Sequence, residues 1–258
     1  MSFLQVQDVS KAFRGVRAVE GVSFEVARHT ITALIGPNGA GKTTLFNLIA
    51  GALPPDRGKI ALGDRAIGGL PAHDVCAAGV GRTFQLVKPF AGMSVLDNAI
   101  VGALRGERTV AGARARAVAV LGMLGLTGKA SLLASRLTLA DRRRLEVARA
   151  LATRPSLLLL DEMMAGLRPT EIDELLAVLR AVQREEGLTI LLTEHVMRAV
   201  MALAQQIVVL HHGQVIARGL SAEIVRDPAV LDCYLGAGEA EGGSPAESPV
   251  RSQQGQDD

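Results

Sequence analysis

Apolar residues along the chain fall into short runs divided by glycine, proline and polar clusters, and the runs carry two different periods. Up to Phe24 apolar and polar residues alternate, which predicts short half-buried strands. Thr30-Ile31-Thr32-Ala33-Leu34-Ile35 is instead a continuous β-branched and apolar run cut off by Gly36, the pattern of a strand buried on both faces. From Lys42 to Ala50 the apolar positions Leu45, Leu48 and Ile49 follow helical spacing, and Gly51 with Pro54-Pro55 ends the helix. Ser94 precedes Val95, Leu96, Ala99, Ile100 and Ala103 with Asp97 third into the helix, an approximate capping box. Glu107 to Gly128 also reads as helical, with glycines blurring its ends.

From Ala140 the order becomes regular: helix to about Ala152, strand Leu157 to Leu160, helix Pro169 to Glu186 closed by Gly187, strand Thr189 to Leu192, helix from near His195, strand Ile207 to Leu210. Strands alternating with helices predict parallel βαβ units and a sheet covered on both faces. His211-His212-Gly213-Gln214 lies between two apolar runs and predicts a hairpin, so part of the sheet is antiparallel.

The length, 258 residues, suffices for one sizeable core without disulfide or metal staples. No unbroken apolar run reaches the ~18 residues of a spanning helix. The start, Met1 to Asp8, lacks the basic and apolar blocks of a secretory signal, so a cytosolic location is expected. Cys76 and Cys233 then read as two separate thiols. A net charge of +2 and 3% aromatic residues argue against a nucleic-acid partner. From Ala237 the chain turns to Gly, Ser, Pro, Glu and Gln, which predicts a disordered tail over 237–258.

Between the first buried strand and the first helix stands Gly36-Pro37-Asn38-Gly39-Ala40-Gly41-Lys42-Thr43, a phosphate-binding loop of the form G-x-x-x-x-G-K-[ST], with Thr44 continuing into the helix. Its glycines let successive N–H groups face inward, the helix N-terminus favours negative charge, Lys42 reaches the β- and γ-phosphates, and Thr43 offers an oxygen to Mg²⁺. Leu157 to Leu160 runs straight into Asp161-Glu162, so both carboxylates sit at the carboxyl edge of the sheet beside that loop. Asp161 suits the magnesium shell, and Glu162, one residue on, suits orienting a water in line with the γ-phosphate.

With these motifs the chain resembles the ATP-binding subunit of an ABC transporter, over residues 3–236. The resemblance implies a P-loop α/β core of mostly parallel sheet with flanking helices, an antiparallel β subdomain, and a helical subdomain at about 86–153. It also implies ATP with Mg²⁺ as cofactors, ATP hydrolysis, and a place on the inner face of the membrane. The partners it implies are a second ATP-binding subunit and transmembrane permeases. In Gly81-Arg82-Thr83-Phe84-Gln85, Gln85 matches the family's glutamine that senses Mg²⁺ and couples to the membrane subunits. His195, after Leu192-Thr193-Glu194, matches the histidine that contacts the γ-phosphate, and Phe13 the aromatic that stacks on adenine, although a core role suits Phe13 equally. Arg143 to Leu151, Thr193 to Met197 and Tyr234-Leu235-Gly236 are most similar to subunits of branched-chain amino acid importers. Other cargo such as urea or lipid, or a regulatory ABC ATPase, is the alternative.

Three places depart from the family pattern. The signature, roughly L-[SA]-Y-G-[QE]-Q in this branch, here reads Leu137-Thr138-Leu139-Ala140-Asp141-Arg142. Ala140 puts a methyl group where glycine allows close backbone approach, and Asp141 is expected to set a carboxylate near a polyphosphate. Met163 replaces the proline after the acid pair, and Arg168 the Asn or Asp of the following loop. What the chain offers its own nucleotide is intact, whereas what it offers a partner's nucleotide is altered. Either the two ATP sites of a heterodimer differ, or the variant signature is tolerated.

Overall fold

The computed structural model describes residues 2–84 and 89–233. Two antiparallel strands open the chain, β1 (Ser2–Phe13) and β2 (Val16–Ala27), followed by β3 (Ile31–Ile35) and α1 (Lys42–Ile49). Next come β4 (Arg57–Leu62), β5 (Arg65–Ala66), α2 (Ala72–Ala77) and β6 (Val80–Arg82). A run of helices follows, α3 (Val95–Ala103), α4 (Val110–Met123) and α5 (Leu139–Ala152), with two short 3₁₀ turns between the last two. The chain then alternates β7 (Leu157–Asp161), α6 (Pro169–Glu185), β8 (Thr189–Thr193), α7 (Met197–Leu203) and β9 (Gln206–His211), and adds β10 (Gln214–Gly219) and α8 (Ser221–Ile224).

The strands form two sheets, β2-β1-β4-β5 and β10-β9-β3-β8-β7-β6. The first is antiparallel throughout, and the second is parallel except where β10 returns beside β9. Alternate side chains of the parallel strands enter two different cores, as period-two geometry demands. Ile31, Ala33, Ile35, Leu158, Leu160, Ile190 and Leu192 face the side packed by α5 and α6. Leu34, Leu157, Leu159 and Leu191 face α1 and the antiparallel sheet. Burial on both faces is why these strands read as unbroken apolar runs.

Several elements differ from the sequence reading. The opening strands are long, not short, because bulges in β1 let it stay paired with β2 while its inward positions shift. β4, β5, β6 and α2 carry no periodic signal: β4 buries only Ile60 and Leu62 deeply, and β6 is three residues around Gly81. The helix expected over 107–128 contracts to α4, because the Thr109 hydroxyl caps it by accepting from the Gly112 N–H and Gly125 (φ 68°) turns the chain away. Helix α7 begins at Met197, which leaves His195 in the bend after β8. The hairpin at His211 to Gln214 forms as expected, with φ of 45° at His212 and 78° at Gly213, the two positive values of a type I′ turn. Both cysteines are free thiols. Among the described residues no helix is long and apolar enough to cross a membrane.

Candidate functional site

The loop between β3 and α1 is built by close backbone packing. Gly36, Gly39 and Gly41 have φ of 149°, 77° and 103°. A Cβ on Gly36 would stand 2.0 Å from the Leu210 carbonyl oxygen, and one on Gly41 2.3 Å from that of Ala18, so neither position admits a side chain. The β9–β10 hairpin braces the loop from behind: the Gly213 N–H donates to Ala40 O at 3.0 Å, while Gly213 O accepts from the Glu20 N–H at 2.8 Å. Ala18, residues 38–44 and Glu162 line a cavity of about 280 Å³ over the loop. Lys42 is 6% exposed, and its Nζ donates to Gly36 O at 2.7 Å and Pro37 O at 2.9 Å. Burial pulls its pKa down, opposed by the charges of Glu162 and Asp161.

Parallel pairing sets the acids against their neighbours. In the β7–β8 register Asp161 lies opposite Thr193, and the Thr193 hydroxyl donates to Asp161 Oδ1 at 2.8 Å. Arg82, at the end of β6, reaches Asp161 Oδ2 at 3.3 Å with one guanidinium nitrogen and Asn47 Oδ1 of α1 at 2.7 Å with another. One residue past the strand, Glu162 takes a left-handed φ of 47°, and His195 Nε2 donates to its Oε1 at 2.7 Å. The ends of β7 and β8 and the start of α1 thus gather Lys42, Asp161, Glu162 and His195 at one sheet edge. One buried carboxylate, a threonine hydroxyl and an open phosphate cradle form the donor set that Mg²⁺ takes when a nucleotide supplies further oxygens.

Phe13 is not among the residues that line this cavity. It ends β1, 42% exposed, with Lys11 Nζ 5.8 Å from its ring centroid. Gln85 is outside the described residues, as are Tyr234-Leu235-Gly236 and the tail at 237–258.

At the signature segment Thr138 caps α5, its hydroxyl accepting from the Asp141 N–H at 3.2 Å and donating to Asp141 Oδ2 at 2.9 Å. Lys129 Nζ pairs with the same oxygen at 2.5 Å, and Asp141 is 5% exposed. The carboxylate expected to confront a polyphosphate is therefore turned inward and neutralised, which leaves Ala140 and Leu139 as the substantive changes. Arg168 folds back onto its own helix, its N–H and guanidinium both bonding Glu171, at 2.9 and 2.8 Å.

The profile described as "ABC transporter" matches residues 19–165, more than half the chain. This chain belongs to the ABC transporter family. A second profile, "Branched-chain amino acid ATP-binding cassette transporter", matches residues 214–240. Among curated relatives, the high-affinity branched-chain amino acid transport ATP-binding protein LivG of Salmonella typhimurium is 40% identical over 248 residues, covering 90% of this chain and 97% of that protein. BraF of Pseudomonas aeruginosa, with the same description, is 39% identical at the same coverage. The lipopolysaccharide export system ATP-binding protein LptB of Escherichia coli is 35% identical over 237 residues, covering 92% of this chain and 98% of its own. Of solved structures, the ADP conformation of MJ1267, an ATP-binding cassette of an ABC transporter, superposes with a TM-score of 0.83 at 28% identity, covering 92% of this chain and 99% of that one. This ABC cassette is accordingly an ATP hydrolase with the P-loop α/β fold.

Three residues of this site, and a fourth in a neighbouring groove, carried no signal of their own along the chain. Ala18 becomes visible only when β2 folds over the loop, and Thr193 only through the β7–β8 register. Arg82 spans from β6 to both α1 and β7, and β6 itself is too short to show a period. Glu146 on α5 is a buried carboxylate that accepts from the Phe84 N–H at 3.3 Å, and burial pushes it up to about 7. It lines a groove of about 290 Å³ with Arg82, Phe84, Val101 and Arg149, between α5 and the edge of the parallel sheet.

Proposed function

We propose that this ABC cassette powers import of branched-chain or related amino acids from the cytoplasmic face of a membrane, in complex with permease subunits and a second ATP-binding subunit. The observation that carries the cargo reading is similarity of 39–40% over nine-tenths of the chain to LivG and BraF. The similarity to LptB favours a lipid cargo as the second reading. Co-expression with the permease subunits of a branched-chain amino acid importer, followed by ATP-dependent uptake of labelled leucine into vesicles, separates them. Uptake supports the first reading, and ATPase stimulation by a lipid-linked glycan without uptake supports the second.

The chemistry follows from the sheet edge. The N–H groups of residues 39–43 and the Lys42 ammonium, exchanging its present bonds to Gly36 O and Pro37 O for phosphate oxygens, bind the triphosphate. Thr43 and Asp161, with Gln85, would hold Mg²⁺, which supplies neutralisation of the phosphate charge. Glu162 orients the attacking water, and the His195 imidazole, bonded to Glu162 Oε1, fixes that carboxylate and turns toward the terminal phosphate. The groove beside Phe84 and Glu146 suits the membrane partner.

Asymmetry between two ATP sites rests on Ala140. A methyl group at the N-terminus of α5 keeps the backbone away from a facing nucleotide, and the Lys129–Asp141 pair leaves Asp141 out of the matter. Ala140→Gly should raise ATP-driven dimerisation and ATPase in a heterodimer; no gain in either assigns the variant signature to the tolerated kind.

A further inference from the structure

The chain turns sharply on leaving β7. The Glu162 N–H donates to Thr193 O at 3.0 Å, and two turns follow, Ala165 N–H to Glu162 O at 3.5 Å and Leu167 N–H to Met164 O at 3.2 Å. Met163 and Met164, at the front of these turns, are buried to 1% and 2% exposure. Their N–H groups thus need an acceptor inside the protein. Glu194 supplies it from the neighbouring strand end. Its Oε1 accepts from the Met164 N–H at 2.9 Å, and the N–H groups of His195 and Met163 also face the carboxylate. The residue is 4% exposed, and it precedes the His195 that bonds Glu162.

The Met163 donor is a consequence of the departure from proline noted above. Proline has no N–H, so a proline there asks nothing of position 194. Methionine adds a buried donor one residue after Glu162.

We propose that Glu194 is a positioning residue for ATP cleavage, its buried carboxylate gathering the N–H groups that open the 163–167 turn and thereby holding Glu162 in register with His195. This rests on the assignment of Glu162 and His195 above. It also bears on Met163, whose N–H faces the same carboxylate and is a donor that a proline would lack.

Three variants separate positioning from bulk stability. Glu194→Leu removes the acceptor, Glu194→Gln retains one carbonyl oxygen at the same place, and Glu194→Leu with Met163→Pro removes the acceptor and one stranded donor together. In the full chain with its partner subunits, Glu194→Leu should lower kcat by about tenfold or more with KM for ATP within about twofold, since the phosphate loop is untouched. Glu194→Gln should restore kcat to within about threefold of the unaltered chain, and the double variant should recover part of the loss. Amide hydrogen exchange over residues 162–167, read without nucleotide, should speed up by about tenfold in Glu194→Leu and not in Glu194→Gln. Unchanged kcat in Glu194→Leu, or unchanged exchange across 162–167, overturns the proposal. If the unaltered chain shows no ATPase, the hydrolytic assignment falls, while exchange still decides whether Glu194 holds the turn. Should Glu194→Leu not fold, the double variant, with one fewer orphaned donor, serves for both readouts.

Discussion

Removing Arg82 should destabilise the nucleotide-free protein far more than the protein loaded with MgATP. The Arg82–Asp161 pair is nearly enclosed, with side chains 11% and 3% exposed, and the same guanidinium bonds Asn47. Breaking one side of such a pair strands a charge, at about 3–5 kcal/mol. Solvent screening gives little relief at that depth. For a chain of this size each kcal/mol moves the midpoint by about 2–4 °C, so Arg82→Leu should unfold roughly 6–20 °C below the unaltered protein. Magnesium held at Asp161, as proposed above, would replace the lost positive charge, so with saturating MgATP the gap should close by half or more. Differential scanning fluorimetry with ATP alone, MgATP and neither isolates the magnesium contribution. A fall of less than about 2 °C without nucleotide, or an equal fall under all three conditions, refutes the argument that Asp161 is held by Arg82 until magnesium arrives.

Glu162→Gln should bind ATP with unchanged affinity yet hydrolyse it at least about a hundredfold more slowly in single-turnover assays; undiminished turnover removes Glu162 from the reaction. Gly41→Ala brings a Cβ to 2.3 Å from Ala18 O at a φ of 103°, so ATP affinity by calorimetry should fall by about tenfold or more. Glu146 contributes a pH dependence of opposite sign to the usual carboxylate. Burial raises it from 4.5 to about 7, so between those values the folded state keeps a proton that the unfolded chain has released. Its contribution is complete below about pH 4.5 and is lost as pH rises through 7, an effect of about 3 kcal/mol. Denaturant melts of Glu146→Gln across pH 5 to 8 should lose that part of the slope; a slope identical to that of the unaltered chain contradicts it.

The parallel core was legible because burial on both faces writes itself as unbroken apolar runs, and a strand ending in Asp161-Glu162 or Thr193-Glu194-His195 can only deliver those residues to one sheet edge. The phosphate loop was legible because its glycines answer to local backbone demands. What stayed hidden depends on partners distant along the chain. Arg82 acts through residues 35 positions before it and 79 after, and Asp141 was expected to face outward because nothing adjacent foretold Lys129, 12 positions away. β1 and β2 were underestimated in length because bulges interrupt strict alternation without ending the ladder. Glu194 read only as the neighbour of His195, since its acceptor role exists solely through the turn after β7.

Titration of the purified chain with ATP by calorimetry, with and without magnesium and in parallel with Lys42→Ala, asks whether the loop ending in Lys42 holds a triphosphate. The geometry predicts saturable, one-to-one, magnesium-strengthened binding that Lys42→Ala weakens by about a hundredfold or more, the loss of a charge-assisted contact in a largely enclosed cradle. Heat signals indistinguishable from buffer, or equal affinity in the Lys42→Ala protein, would contradict it.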